Sequence, residues 1–187
     1  GADYSSINGG WNAEGLAKHY NDTKVLNIIE KNRNERSNSK KYHDICNYKT
    51  EKELAEYIKA GFINTKNKEN QYTPLMYFAK NGNFKAVETI IKLTKEYNQK
   101  LSLETKDKYG DTALIISMKE RIHYNSEKNE AMQLNHFKVI KLLLKNSKSL
   151  EAAEKFIRLK IAIFNDTELL NYIYEKNEKI QRSVIEK

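Results

Sequence analysis

The sequence predicts an all-α solenoid of about five stacked helix pairs, with inserts in its central units. The first observation is that three apolar residues at positions i, i+3 and i+4, which share one face of a helix, recur along the 187-residue chain. The second is composition: 39% of the residues are apolar and 31% are charged, so each helix can bury only a stripe. The third is spacing, because the triplets follow one another at intervals of about 30 residues, apart from one longer gap, as stacked helical repeats do. The triplets begin at Val25, Leu54, Val87, Val139 and Leu169.

Nearly the same phrase opens the first and the last of these helices. Residues 20–29 read YNDTKVLNII and residues 164–173 read FNDTELLNYI. In both, the Asn-Asp-Thr sequence places side-chain acceptors where the first free N–H groups of a helix need them. We expect both segments to be the second helix of a terminal unit, each packing its apolar triplet against the neighbouring unit.

The central units carry a more specific signature. Residues 72–91 read YTPLMYFAKNGNFKAVETII and resemble the ankyrin repeat, with Met76 in the place of the usual His. Residues 107–118 read DKYGDTALIISM and resemble the turn and first helix of the same repeat. The matching positions are Thr73, Pro74, Leu75, Ala79, Gly82, Val87, Ile90 and Ile91 in the first segment, and Asp107, Gly110, Thr112 and Leu114 in the second.

Physical reasons support the matched positions. Thr73 can cap the free N–H groups of a helix, and Pro74 in the first turn loses no hydrogen bond. Gly82 permits the positive φ that folds a second helix back on the first. The resemblance implies helix hairpins with projecting finger turns, which form an ankyrin-like solenoid. It also implies a non-catalytic scaffold that binds a partner protein through its concave face and finger loops.

The outer units are placed by register. Moving back one repeat puts His43 where Met76 is and Cys46 where Ala79 is, and Thr50 with Glu53 forms a capping box for the following helix. Residues 12–32 and the segment ending near residue 180 are expected to be the first and last units. The predicted organisation is a flexible lead over residues 1–11, one solenoid domain over residues 12–180 and a tail over residues 181–187.

The long interval between triplets indicates inserted residues. The segment LTKEYNQKLSLETK enlarges the connection after residue 91, and RIHYNSEKNEAMQ, residues 121–133, lies between the two helices of one unit. Inserts in solenoids usually form surface loops and often belong to the binding face. The sequence does not decide between a functional insert over residues 121–133 and neutral length drift.

Catalytic and metal-binding chemistry finds little support. His43 and Cys46 would share one helix face, but the repeat register explains both as packing residues. No phosphate loop, dinucleotide turn, esterase elbow or zincin motif occurs, and the chain has one Cys. We therefore expect no catalytic residue, no metal site and no cofactor. An enzyme with an unrecognised site is the least favoured alternative.

The net charge of +8 leaves a second alternative, a basic surface that binds an anionic polymer or a membrane. Nucleic acid is disfavoured because the cations are 28 Lys against 5 Arg, and Arg is the preferred reader of phosphates and bases. No apolar run is long enough to span a bilayer. A soluble monomer is expected, and the sequence leaves open whether it is cytoplasmic or exported after removal of a signal.

Twelve tyrosines are the remaining outlier of the composition. In proteins that resemble ankyrin, the variable positions of the first helices and the tips of the finger turns contact partners, and Tyr is a favoured interface anchor. The predicted contact residues are Tyr77, Lys80, Asn81, Lys108, Tyr109, Ile116 and Lys119, with Tyr124 from the insert.

Overall fold

A computed structural model describes residues 12–147, 168, 169 and 171–175. Helices account for the regular structure of residues 12–147, together with a short 3-10 turn at Phe62–Asn64. Residues 168, 169 and 171–175 are also helical. In chain order the helices are α1 (Ala13–His19), α2 (Thr23–Cys46), α3 (Glu51–Lys59), α4 (Pro74–Lys80), α5 (Phe84–Glu96), α6 (Ala113–Ser126) and α7 (Glu130–Asn146).

The helix boundaries follow local capping chemistry. Thr73 Oγ1 accepts a hydrogen bond from the Met76 amide at 3.3 Å, and Pro74 occupies the first turn of α4, as predicted. Thr50 Oγ1 likewise accepts from the Glu53 amide at 3.1 Å. Gly82 has φ +60° and turns the chain between α4 and α5. The repeat turns are therefore local properties of the sequence.

The helices form two layers. In the inner layer α4 lies between α2 and α6, and in the outer layer α5 lies between α3 and α7. Each inner helix also contacts the outer helix that follows it. Between the layers runs one continuous apolar core, because each helix pair covers its neighbour's apolar face. The largest fully buried side chains of this core include Ile45, Leu54, Ile58, Leu75, Met76, Ile90, Met118, Ile140 and Leu143.

The N-terminal unit differs from the prediction. A single helix, α2, runs from the second helix expected for the first unit into the first helix of the next one, because residues 23–46 contain neither Gly nor Pro to end it. Val25 and Ile28, expected to pack on a neighbour, are 37% and 58% exposed. His43, expected in the core, is also exposed. The hairpin of the first unit is instead α1 packed on α2.

The insert over residues 121–133 is also different from the prediction, because it forms no surface loop. Its residues extend α6 and α7, which leaves only a short turn around Lys128 between the two helices. Again no Gly or Pro interrupts either helix. Arg121 and Ile122, both in the insert, are buried.

At the C-terminal end, Leu169 and Ile173 are buried and join the core, and Tyr172 packs against it. The predicted lead over residues 1–11, the tail over residues 181–187 and most of the predicted last helix pair lie outside the described residues.

Candidate interaction face

Two finger turns project beside the inner layer of helices. The first finger, residues 65–72, leads into α4, and the second finger, residues 102–111, leads into α6. The backbone N–H of Lys108 donates to the carbonyl of Asn70 at 3.0 Å, and Lys108 Nζ donates to the carbonyl of Glu69 at 2.7 Å. The fingers are thus joined side by side, which fixes the spacing of the residues at their bases.

Asp107 organises the second finger. Its Oδ1 accepts hydrogen bonds from the amides of Tyr109 and Asp111, each at 2.8 Å. The backbone N–H of Asp107 also donates to the carbonyl of Asp111 at 2.9 Å. Because Asp107 is buried and ties three backbone groups together, the tip of the finger presents Tyr109 in a set position, where 71% of its surface is exposed.

Four tyrosines lie on two inner helices and on both fingers, and we name them the tyrosine groove: Tyr42 of α2, Tyr77 of α4, Tyr72 of the first finger and Tyr109 of the second. Burial chiefly raises the pKa of Tyr42, with a hydrogen bond to the Cys46 thiol and the nearby phenols of Tyr77 and Tyr72 adding to the shift. Burial also raises the pKa of Tyr72, which is near Asp107, Glu120 and Tyr109. Lys80 Nζ lies 5.8 Å from the centre of the Tyr72 ring.

Several predicted contact residues lie along this groove. Tyr77 is half-buried against the core, and Lys80 is exposed beside it. Lys108 Nζ lies 5.1 Å from the centre of the Tyr109 ring, so the two side chains form a unit at the finger tip. Lys119 pairs with Asp111 at the base of the same finger. Their use as partner contacts stays a prediction.

Three other predicted residues are placed differently. Ile116 is 3% exposed and belongs to the core, so its prediction as a contact residue is wrong. Asn81 is exposed, but its side-chain amide donates to the carbonyl of Tyr77 at 2.9 Å and closes the end of α4. Tyr124 lies on the extended part of α6 and stacks on the ring of His136, with ring centres 5.5 Å apart.

Two groove residues, Tyr42 and Tyr72, were missed by the sequence reasoning. Tyr72 directly precedes the Thr-Pro pair, and Tyr42 stands one repeat before Leu75, a position that usually holds a core residue. The sequence feature that could have identified Tyr42 is a Tyr at a position that usually holds an apolar core residue. A buried Tyr needs a hydrogen-bond partner for its hydroxyl. Tyr42 finds that partner in Cys46.

The hypothetical pair of His43 and Cys46 has no activated thiol. Burial raises the pKa of Cys46 to about 12, against a smaller opposing effect of the hydrogen bond with Tyr42. A thiol is nucleophilic as the thiolate, so Cys46 is protonated at neutral pH. Among the residues that the structure describes, no three His, Cys, Asp or Glu side chains cluster as metal ligands.

His136 is a buried histidine at the junction of the two central repeats. Its Nδ1 lies 3.3 Å from Ser117 Oγ, and a Cβ atom built on Gly82 would lie 3.1 Å from its Nε2. Burial lowers the pKa of His136 to about 4, with the backbone of Ala79 opposing the shift and the charge of Arg121 adding to it. The ring is therefore neutral in the folded protein at pH 7.

This burial predicts a loss of stability in mild acid. The unfolded chain binds a proton at a pKa near 6.5, whereas the folded chain binds it at about 4, so stability is present above pH 6.5 and falls as the pH decreases. We expect the free energy of unfolding to fall by about 2 kcal/mol between pH 7 and pH 5, measured by urea denaturation. The variant His136→Gln should lose this difference. An equal pH dependence in that variant would assign the effect to other groups.

Comparison with family models matches residues 42–127 to a model described as ankyrin repeats in three copies. Comparisons with curated proteins and with solved structures found no match. No helix in the described part of the chain is both long and apolar enough to cross a membrane. Ankyrin repeats generally mediate protein–protein interactions. The matched segment contains α3 to α6, both fingers and all four residues of the tyrosine groove. Residues 42–127 are therefore ankyrin repeats, and the protein is an ankyrin repeat protein in this part of its chain.

Proposed function

We propose that this chain is a non-catalytic scaffold that binds a partner protein along the tyrosine groove and the finger tips. The observation that carries the proposal is the row of phenol groups from Tyr42 to Tyr109, set across α2, α4 and both fingers. Tyr anchors an interface well because it offers a large contact area and a polar end with few rotatable bonds to order. Joined fingers lower the ordering cost further, since the groove is already formed before the partner arrives.

Charge is the second element of the proposal. Lys80 and Lys108 lie beside the rings of Tyr72 and Tyr109, and Lys119 is held by Asp111. Lys80 and Lys108 each lie beside an aromatic ring, so they can add charge to contacts that the rings make. The alternative, a basic surface for an anionic polymer or membrane, requires affinity that depends mainly on the net charge of +8.

Removing two anchors should weaken partner binding. The double variant Tyr77→Ala/Tyr109→Ala is expected to lower affinity for the natural partner at least about tenfold, because truncating central aromatic anchors typically costs that much or more. The partner is to be captured from the source cell by cross-linking and its affinity then measured by titration. Tyr20→Ala/Tyr174→Ala is the matched control, since Tyr20 directly follows α1, Tyr174 lies in the last described helical segment and both are exposed, and its affinity should be unchanged.

Tyr77 also packs against the core, so a second variant separates binding from folding. Lys80→Glu reverses an exposed charge beside Tyr72 and should weaken binding without changing the thermal unfolding curve. Unchanged affinity in both groove variants contradicts the proposed face. A steep fall in wild-type affinity between about 50 and 200 mM salt would favour the electrostatic alternative.

A further inference from the structure

A second surface feature, which we name the basic cleft, lies between α2 and the first finger. It is an open cavity of about 470 Å³ lined by Arg36, Ser39, Lys40, His43 and Lys68. The four residues of α2 stand at positions i, i+3, i+4 and i+7, which places them on one face of the helix. Lys68 approaches that face from the finger. One face of α2 and one residue of the first finger thus place several hydrogen-bond donors around the basic cleft.

The charges in the basic cleft are only partly compensated. Lys68 Nζ is paired with Glu35 Oε2 at 2.8 Å, and this hydrogen bond holds the pKa of Glu35 below its usual range. Arg36 and Lys40 have no ion-pair partner among the residues that the structure describes. His43 Nδ1 lies 3.9 Å from Asp44 Oδ1. Two permanent cations are therefore left to bind a ligand, with Lys68 available in exchange for its contact to Glu35.

We propose that the basic cleft binds a phosphoryl group carried by a peptide segment of the partner protein. A phosphorylated side chain concentrates nearly two negative charges and three acceptor oxygens in a small volume. Arg36 offers a planar fork for two of those oxygens, while Lys40, Lys68 and the Ser39 hydroxyl can supply the remaining donors. Unphosphorylated acidic residues would spread their charge along a longer surface than this cleft provides.

The position of the cleft favours a peptide over other phosphate-bearing polymers. His43 follows Tyr42 in the sequence, and the first finger carries both Lys68 and Tyr72, so the basic cleft and the tyrosine groove are built on the same two segments and one extended peptide can reach both. A nucleic acid presents its phosphates in a row and binds tightly through many of them, whereas the basic cleft gathers its donors around one volume. In this respect the inference rests on the proposed function.

A membrane surface is disfavoured by the pattern of α2. Interfacial helices separate an apolar face from a cationic one. On α2, exposed Val25 precedes Arg36 by about three helical turns and so lies on the same side of the helix. The acidic Glu30 and Glu35 interrupt the cations. The helix therefore has no apolar face opposite its cations.

The test uses the full chain and two probes, inorganic phosphate and the blocked amino acid N-acetyl-phosphoserine-N-methylamide. In a nitrogen-15 NMR titration, both probes should shift the amide signals of residues 36–43 and 66–70, with millimolar dissociation constants. The variant Arg36→Gln/Lys40→Gln should bind about tenfold more weakly, because it removes two charge-assisted contacts. The control Lys85→Gln/Lys138→Gln changes the net charge equally at two exposed helical lysines and should bind as the wild type does.

A third variant tests the competition for Lys68. Glu35→Gln should strengthen probe binding severalfold by releasing Lys68, whereas Glu30→Gln removes the same charge from the opposite side of α2 and should have little effect. If Arg36→Gln/Lys40→Gln and the control Lys85→Gln/Lys138→Gln lose probe affinity equally, the proposal is overturned, because the loss would then be a general effect of net charge. Signal shifts scattered over the whole chain would overturn it as well.

Two further probes decide the source of the phosphate. Tighter, Arg36-dependent binding of a single-stranded oligothymidine would reassign the cleft to nucleic acid, and the same result with vesicles containing about one-third phosphatidylserine would reassign it to a membrane. The groove variant Tyr77→Ala/Tyr109→Ala should bind the phosphate probes normally. If the groove variant binds the probes normally and still captures the partner as the wild type does, the proposed groove alone is contradicted. If the wild type captures the partner but binds neither phosphate probe, the basic cleft alone is contradicted.

Discussion

Replacing Arg121 by Ala is expected to lower the free energy of unfolding by about 3 kcal/mol. This loss is typical when a substitution leaves the polar partners of a buried side chain without a hydrogen bond and also creates a cavity. Arg121 is buried, with 4% of its surface exposed. Its Nη1 donates to the carbonyl of Gln133 at 3.0 Å and its Nη2 to Glu168 Oε2 at 3.0 Å. Its guanidinium also lies 4.3 Å from the centre of the Phe137 ring. One side chain thus joins α6, α7 and the last described helical segment, and the loss is measured by urea denaturation.

Two controls show what the measured loss means. Lys119→Ala, on the same helix, removes an exposed ion pair with Asp111 and should cost at most about 1 kcal/mol. Arg121→Met keeps the apolar volume while removing the charge, so it should recover part of the loss. If Arg121→Ala costs less than about 0.5 kcal/mol, as for a residue in a surface loop, the helical packing of the insert is contradicted.

Replacing Gly82 by Ala is expected to lower the free energy of unfolding by about 2–3 kcal/mol. One part is the backbone, because a residue with a Cβ at φ +60° costs roughly 1 kcal/mol more than Gly. The other part is contact, since the new Cβ would lie 3.1 Å from Nε2 of His136, whose ring is buried and stacked on Tyr124. The ring has little room to move away, so the repeat junction must shift.

The chain contains a matched control for this prediction. Gly110 has φ +86°, and nothing lies within 4 Å of a Cβ built there, so Gly110→Ala should show the backbone cost alone. The excess loss in Gly82→Ala over Gly110→Ala then measures the contact with His136. Adding His136→Ala to Gly82→Ala should make the two substitutions less than additive, because the contact is counted once. Equal losses of unfolding free energy in Gly82→Ala and Gly110→Ala would show that the His136 ring moves aside at no cost.

The central repeats could be predicted from the sequence because their signals are local. Thr73, Pro74 and Gly82 each act within one helix turn or one tight turn, and the structure shows each in the expected role. The apolar triplets beginning at Leu54 and Val87 are buried in part or whole for the same reason, since their periodicity matches a helix that has a neighbour on its apolar side.

The candidate site could be predicted only in part because it depends on long-range placement. Tyr77 and Tyr109 belong to position classes that a repeat register identifies. Ile116 occupies the same register position as Tyr77, yet it is 3% exposed, so the register position alone does not distinguish a core residue from a surface residue. The surroundings of Tyr72 and the basic cleft are formed by segments that are distant in the sequence. A local sequence pattern therefore does not predict them.

The similar segments YNDTKVLNII and FNDTELLNYI show which properties depend on local sequence and which depend on tertiary packing. The sequence by itself determined that both phrases contain helical residues whose apolar side chains share one face, because helical periodicity is local. Only the tertiary structure decided what those faces do: Leu169 is fully buried, while Ile28 is 58% exposed. The physical reason is that periodicity fixes which residues lie together on a helix, whereas burial requires a neighbour that covers them, and the buried residues of α2, Tyr42 and Ile45, lie near its C-terminal end.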